Sequence, residues 1–206
     1  AYVIKAWKHF SDAWENYPFS IPFLYSAPVN YATAYPFDLS AKEIRWIPSW
    51  LPLPRDKNGH LAVAGDNLKG WIRPFSAEFV QMAFKKLLSE WEKGIDVLKK
   101  GKGYLDEPRY KKELDLAIHI GLLIKSTVNI VEFYSLLKEY REGKKEAKRK
   151  LIKLLKEEIL IAEKDREIIK INKDFGYHPE AHEYFITEKD LSYKIALLKK
   201  QIKNLM

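Results

Sequence analysis

The chain has 206 residues, 47% of them hydrophobic, so it can bury a sizeable core and global disorder is excluded. It contains no cysteine, which excludes disulfides, thiol nucleophiles and thiolate metal sites; the compartment stays open, with the cytoplasm slightly favoured. No uncharged apolar run reaches the length of a membrane span, so we expect no membrane partner. The formal net charge is +8, and abundant Lys and Glu are typical of heat-adapted proteins.

The first region is rich in aromatic residues and proline. Residues 1–75 hold 15 of the 28 aromatic residues and eight of the ten prolines. Apolar residues recur at helical spacing over 2–16, and Pro18 ends that helix. These apolar residues are Val3, Trp7, Phe10 and Trp14. The apolar run at 21–26 predicts a buried strand, and the many prolines of 27–75 predict a long irregular loop.

The second region, residues 76–206, is predicted to be an α-helical bundle. Four helices are expected, at 77–100 after the N-cap Ser76, from Asp106 to about Tyr140, at 145–173, and from the N-cap Thr187 to the C-terminus. Short loops between them favour antiparallel packing. The predicted fold class is therefore mainly α, an antiparallel helical bundle preceded by a helix–strand–long-loop segment.

The single predicted strand raises a question of pairing. Buried backbone donors and acceptors must find partners, and an isolated strand has none. We therefore expect another chain or segment to complete the sheet.

The irregular loop offers the residue types that bind sugars. Aromatic rings cover the apolar faces of sugars, and small polar groups bind their hydroxyls. The candidate substrate-binding residues are Tyr25, Asn30, Tyr31, Trp46, Trp50, Asp66 and Trp71. The alternative is that these aromatic residues form the core of a loop-rich region. No pair of carboxylates is seen to converge as glycoside hydrolysis requires, so the catalytic residues are unknown.

Two other segments have residue types that could form a site. His178, Glu180, His182 and Glu183 could hold a metal, but their spacing matches no metal motif, and a locally hydrogen-bonded loop is preferred. No cofactor motif is present, so we expect neither a metal nor a cofactor. Residues 141–156 hold eight basic and two acidic side chains and could bind nucleic acid, although a solvated helix face is the simpler interpretation.

Three stretches resemble the late part of large carbohydrate-active, glycoside-hydrolase-like proteins. The first is "AWKHFSDAWENYPFSIPFLYSAPVNYATAYP", the second begins "GDNLKGWIRPF", and the third is "DFGYHPEAHEYFITEKDLSYKI". The matching residues are Trp7, Phe10, Ser11, Tyr17, Pro18, Ala27, Pro28 and Asn30, then Asp66, Leu68, Trp71, Phe79, Trp91 and Gly94, and finally Gly176, Tyr177, His182 or Glu183, Tyr184 and Leu191. His178 and Pro179 depart from the third pattern.

The resemblance implies the end of a (β/α) barrel followed by a helical domain. The chain would then be the C-terminal portion of a carbohydrate-active enzyme, with its sugar-contacting residues on loops after strand ends. Two alternatives remain open. One is a basic helical protein that binds nucleic acid. The other is an assembly module whose aromatic N-terminal half packs against a partner.

Overall fold

The computed structural model describes residues 2–40, 51–62, 68–103 and 106–206. Within them the chain forms seven α-helices and one two-stranded antiparallel sheet, so the predicted mainly α class is confirmed. The helices are α1 (Tyr2–Trp14), α2 (Ile21–Ser26), α3 (Leu68–Trp71), α4 (Ala77–Lys100), α5 (Glu107–Arg141), α6 (Lys145–Ile171) and α7 (Glu188–Leu205). The strands are β1 (Tyr177–His178) and β2 (Glu183–Tyr184). The predicted site residues Trp46, Trp50 and Asp66 lie outside the described residues.

Helices α4 to α7 form the bundle, and each packs on the next. Their starts agree with the sequence signals, because Ser76, Asp106 and Thr187 each accept a hydrogen bond from a backbone N–H in the first turn. Helix α5 lies at the centre. It is long and apolar enough to cross a membrane, but 61% of its most apolar window is buried in the fold, which is typical of a core helix.

Helix α1 packs on α4 through its alanines and Phe10, while its two tryptophans stay partly exposed. Ala6 and Ala13 are fully buried, while Trp7 and Trp14 are 54% and 42% exposed. A Cβ added to Gly94 of α4 would lie 2.3 Å from the ring of Phe10, so the missing side chain is what admits this ring. The predicted apolar face of α1 is therefore only partly its core face.

The predicted strand at 21–26 is wrong, because this segment is helix α2. Ser20 caps the helix by accepting a hydrogen bond from the N–H of Phe23, and Pro22 lies in the first turn, where its missing N–H costs nothing. The helix forms backbone hydrogen bonds within the segment, from the N–H of Leu24 to the carbonyl oxygen of Ser20 and from the N–H of Ala27 to that of Phe23. The unpaired strand, which required partners from elsewhere, does not exist, so the barrel-end interpretation loses the observation on which it rested.

The aromatic first region packs against the bundle instead of forming a separate layer. Phe23 of α2 contacts Trp71 of α3 and Phe84 of α4, with ring centroids 5.4 and 5.7 Å apart. Farther along, the hydroxyls of Tyr35 and Tyr134 lie 2.7 Å apart in the interior. The main hydrophobic core is therefore continuous from α1 to α7.

Segment 51–62 is a turn that lies against the sheet and α7. Arg55 donates to the carboxylate of Asp190 at 2.7 Å and to the carbonyl oxygen of Tyr184. The side chain of Asp190 is fully buried, so this ion pair anchors the proline-rich segment to the last helix.

Candidate functional site

The predicted sugar-binding residues separate into an exposed and a buried group. Tyr25 is 38% exposed, and Asn30 is also on the surface. Tyr31 and Trp71 are only 3% and 4% exposed, because Tyr31 packs on Phe185 and Trp71 packs on Phe23. Among the described residues of the set, only Tyr25 and Asn30 therefore present side chains to solvent.

Asn30 is held by the hairpin of β1 and β2. Its amide nitrogen lies 3.3 Å from Nε2 of His178, whose ring stacks on Phe185. Burial lowers the pKa of His178, against the opposing effect of Glu180 and Glu183. The other ring nitrogen, Nδ1, accepts from the backbone N–H of Ala181 at 3.4 Å. This histidine therefore orders the hairpin and supports Asn30.

The four residues weighed as metal ligands do not form a cluster in the described part of the chain. Glu183 accepts a hydrogen bond from the backbone N–H of Leu53 at 2.5 Å, which ties the hairpin to segment 51–62. His182 is exposed and adopts a positive φ of 53°, as a turn residue does.

The most distinctive surface lies on α1, α2 and the segment that joins them. We call it the apolar surface, and it consists of Ile4, Trp7, Trp14, Phe19, Ile21, Leu24 and Tyr25, each between 38% and 73% exposed. Tyr17 links its two parts, because its ring contacts Trp14 of α1 and Phe23 of α2. Burial raises the pKa of Tyr17 to about 12, so the phenol stays neutral under this surface.

The geometry of α1 places its exposed apolar residues in one row. Ile4, Trp7 and Trp14 follow at spacings of three and seven residues, which a helix brings to the same side. Trp14 meets Trp91 of α4 edge-on at 6.0 Å, and Nε1 of Trp91 donates to the carbonyl oxygen of Ala117 in α5. Trp14 therefore packs on a side chain that is itself hydrogen-bonded within the bundle.

The sequence indicates the aromatic first half as a possible interface but does not indicate this surface. It predicts a buried strand where the exposed residues of α2 lie, and it places Trp7 and Trp14 on one helix face without an orientation. The spacing of Ile4, Trp7 and Trp14 beside a second row of alanines, Ala6 and Ala13, was the signal that could have separated the outer face from the packed one.

The basic segment forms the exposed first half of α6. Five lysines there have no ion-pair partner among the described residues: Lys145, Lys148, Lys150, Lys153 and Lys156. Arg149 and Lys144 do have acidic partners, Glu146 and Glu139. The local positive charge is therefore only partly neutralised.

The interior contains a polar cluster between α5, α6 and α7. Glu158 and Lys194 are fully buried, and their charged atoms lie 2.5 Å apart. Asn129 donates to the second oxygen of Glu158 at 2.7 Å, and Ser126 donates to the same carboxylate. Burial lowers the pKa of Lys194, opposed by the negative charge of Glu158. The cluster is buried and joins side chains of α5, α6 and α7, so it holds these helices together.

Comparison with protein-family models, with curated proteins and with solved structures gave no match.

Proposed function

We propose that this chain is the helical assembly portion of a carbohydrate-active, glycoside-hydrolase-like protein, and that its apolar surface binds the catalytic portion. The observation that carries the proposal is the exposure of seven large apolar side chains on α1, α2 and their connection. The remaining helices present mainly charged residues to solvent.

The size of the apolar surface supports a protein partner. Half-exposed aromatic and branched side chains leave on the order of 100 Å² uncovered each, so seven leave on the order of 700 Å². A typical monomer exposes apolar patches of roughly 300–600 Å², whereas one side of a stable interface buries about 800 Å². The apolar surface is therefore of interface size.

The residues that carry the resemblance support the identity of the partner. Trp7 and Ser11 belong to the first matching stretch, yet both are exposed and contribute little to the packing of α1 on α4. A contact with a second portion of the same kind of protein gives these residues a role. Sugar contact by this chain is then reduced to Tyr25 and Asn30 at the edge of the interface.

The test uses the full chain together with the glycoside-hydrolase-like polypeptide encoded with it, either as two chains or as one. Hydrogen–deuterium exchange of residues 2–26 is compared in the assembled and separate states. We expect slower exchange of α1 and α2 on assembly and no change in the first half of α6.

A pair of substitutions tests the surface directly. Phe19→Ser with Ile21→Ser removes side chains that are 67% and 61% exposed. Losing the burial of both side chains in the interface should weaken binding by about 3 kcal/mol, which raises Kd more than a hundredfold. The matched control is Leu160→Ser with Ile171→Ser on α6, which are 67% and 63% exposed. Equal weakening by both pairs, or no association of the unaltered chain, would overturn the proposal.

Nucleic-acid binding is the second candidate, and the five lysines of α6 without ion-pair partners favour it. Binding through them requires an affinity for single-stranded or duplex DNA that falls steeply with salt. Replacing Lys145, Lys153 and Lys156 by Gln should reduce the slope of log K against log salt by about 2 to 3. Binding that is absent at 50 mM salt removes this candidate.

A further inference from the structure

A cleft lies where the C-terminal end of α6 meets the N-terminal end of α7. Its volume is about 530 Å³, which is in the range of small-ligand sites. Ile169 and Ile186 form a buried apolar floor. Its rim carries Lys170 and Lys173 on one side and Tyr184 and Ser192 on the others. The cleft is separate from the apolar surface of α1 and α2.

The polar side chains of this cleft differ in whether they already have partners. Thr187 donates to Asp190 at 2.6 Å, and Lys189 donates to the carbonyl oxygen of Asn58 at 2.8 Å. These two groups are engaged in capping α7 and in holding segment 51–62. The ammonium groups of Lys170 and Lys173 and the hydroxyls of Tyr184 and Ser192, by contrast, have no partner in the part of the chain that the structure describes.

The charge of the lining favours an anion. Three lysines and one glutamate, Glu188, border the cleft. Lys170 lies in the last turn of α6 and Lys173 begins the short 3₁₀ helix Lys173–Gly176 that follows, and both side chains line the same cleft. Lysine binds phosphate and carboxylate as a point charge and gives charge-assisted hydrogen bonds.

The remaining residues that line the cleft favour a ring-shaped ligand that carries hydroxyl groups. The ring of Tyr184 is 46% exposed and is braced edge-on by Tyr177 at 5.3 Å, so it offers a fixed aromatic platform. The hydroxyls of Tyr184 and Ser192 can donate to, or accept from, the hydroxyl groups of a ligand. An apolar floor, an aromatic wall and two cations together match a sugar that carries an acidic group.

We propose that this cleft binds a small acidic sugar, with its carboxylate or phosphate on Lys170 and Lys173 and its ring against Tyr184. This site does not depend on the proposed assembly function, because it lies on other elements and uses other residues. A carboxylate and a phosphate present the same chemistry to the lysines, and the test below distinguishes them.

The test is isothermal titration of the full chain at low ionic strength with four probes: glucuronate, a hexose phosphate, glucose and inorganic phosphate. We expect one or both acidic sugars to bind. Their association constants should exceed those of glucose and of inorganic phosphate by at least about tenfold, because each of these lacks one of the two recognised features. The stronger of the two acidic sugars identifies the acidic group.

Variants assign binding to the cleft. Lys170→Gln with Lys173→Gln should lower the association constant of the acidic sugar at least tenfold, whereas Lys148→Gln with Lys150→Gln removes the same charge from exposed positions elsewhere on α6 and should not. Tyr184→Leu should weaken the acidic sugar but leave inorganic phosphate unchanged. Three results overturn the proposal: no binding of either acidic sugar at millimolar concentration, equal binding of glucose, or an equal loss in both lysine pairs.

Discussion

The buried pair of Glu158 and Lys194 gives the sharpest prediction on stability. The perturbation is a double-mutant cycle with Glu158→Gln and Lys194→Met, which remove the two charges separately and together. Both side chains are fully buried, and their charged atoms are 2.5 Å apart. Each single substitution leaves the other charge in the interior without its counter-charge.

The magnitude follows from that burial. Removing one partner of a buried ion pair costs about 3–5 kcal/mol, whereas removing both often costs much less. Lys194 also donates to the carbonyl oxygen of Ala32 at 3.0 Å, and Asn129 keeps a bond to the residue at 158, so the double variant loses hydrogen bonds too. We therefore expect a coupling free energy of about 3 kcal/mol.

The assay is urea unfolding, and the chain offers a matched surface pair. Lys199 and Glu163 lie on the same two helices, five residues farther along each, at 3.4 Å, but are 58% and 40% exposed. Their cycle should give a coupling below about 1 kcal/mol. A coupling free energy of the buried pair as small as that of the surface pair would contradict the claim that each single substitution leaves an uncompensated charge in the interior.

The stability cost of Glu158→Gln should also depend on pH, and the direction of that dependence can be worked out. Burial lowers the pKa of Lys194 in the folded chain, and Glu158→Gln removes the charge that opposes this effect. Between the folded pKa and the unfolded value of about 10.4, the unfolded chain binds more protons, so stability rises with pH. The cost of Glu158→Gln should shrink from pH 7 towards pH 10, and a constant cost would contradict this account.

Two further predictions test the fold. Ser20→Ala removes the cap of α2 and the 2.7 Å hydrogen bond to the carbonyl oxygen of Arg73, so the free energy of unfolding should fall by about 1 kcal/mol. The control Ser89→Ala, on the exposed face of α4, should not lower it. Equal free energies for the two variants in urea unfolding would argue against a helix at 21–26. Gly94→Ala places a Cβ 2.3 Å from the Phe10 ring and 3.1 Å from the carbonyl oxygen of Ala6, so the free energy of unfolding should fall by about 1–3 kcal/mol. Adding Phe10→Leu should restore part of this loss. A single variant more stable than the unaltered chain would show that α1 does not pack this closely on α4.

The bundle could be predicted because its signals are local. Apolar periodicity predicts the four long helices, and Ser76, Asp106 and Thr187 mark the starts of three of them, α4, α5 and α7. Helix α2 could not be separated from a strand by periodicity, since a run of six mostly apolar residues fits both. Ser20 before the run and Pro22 in its first turn are the local signals that favour a helix.

The surfaces and the interior pairings depended on residues far apart in the chain. Tyr31 and Trp71 belong to residue types that bind sugars, but both are buried because Phe185 packs on Tyr31 and Phe23 packs on Trp71. Lys194 and Glu158 could not be told from the solvated Lys and Glu around them by composition. A positional signal existed, since Lys194 lies three residues after Leu191 and four before Leu198, on the apolar side of α7.

The bond from Lys194 to the carbonyl oxygen of Ala32 joins residues 162 positions apart, and the lysine belongs to a helix that leaves the ribosome only after α1 to α6. Until α7 emerges, Glu158 has no cation in the interior, and collapsed intermediates expose surface that chaperones and proteases recognise. Synthesis therefore delays the neutralisation of the interior until α7 has been made.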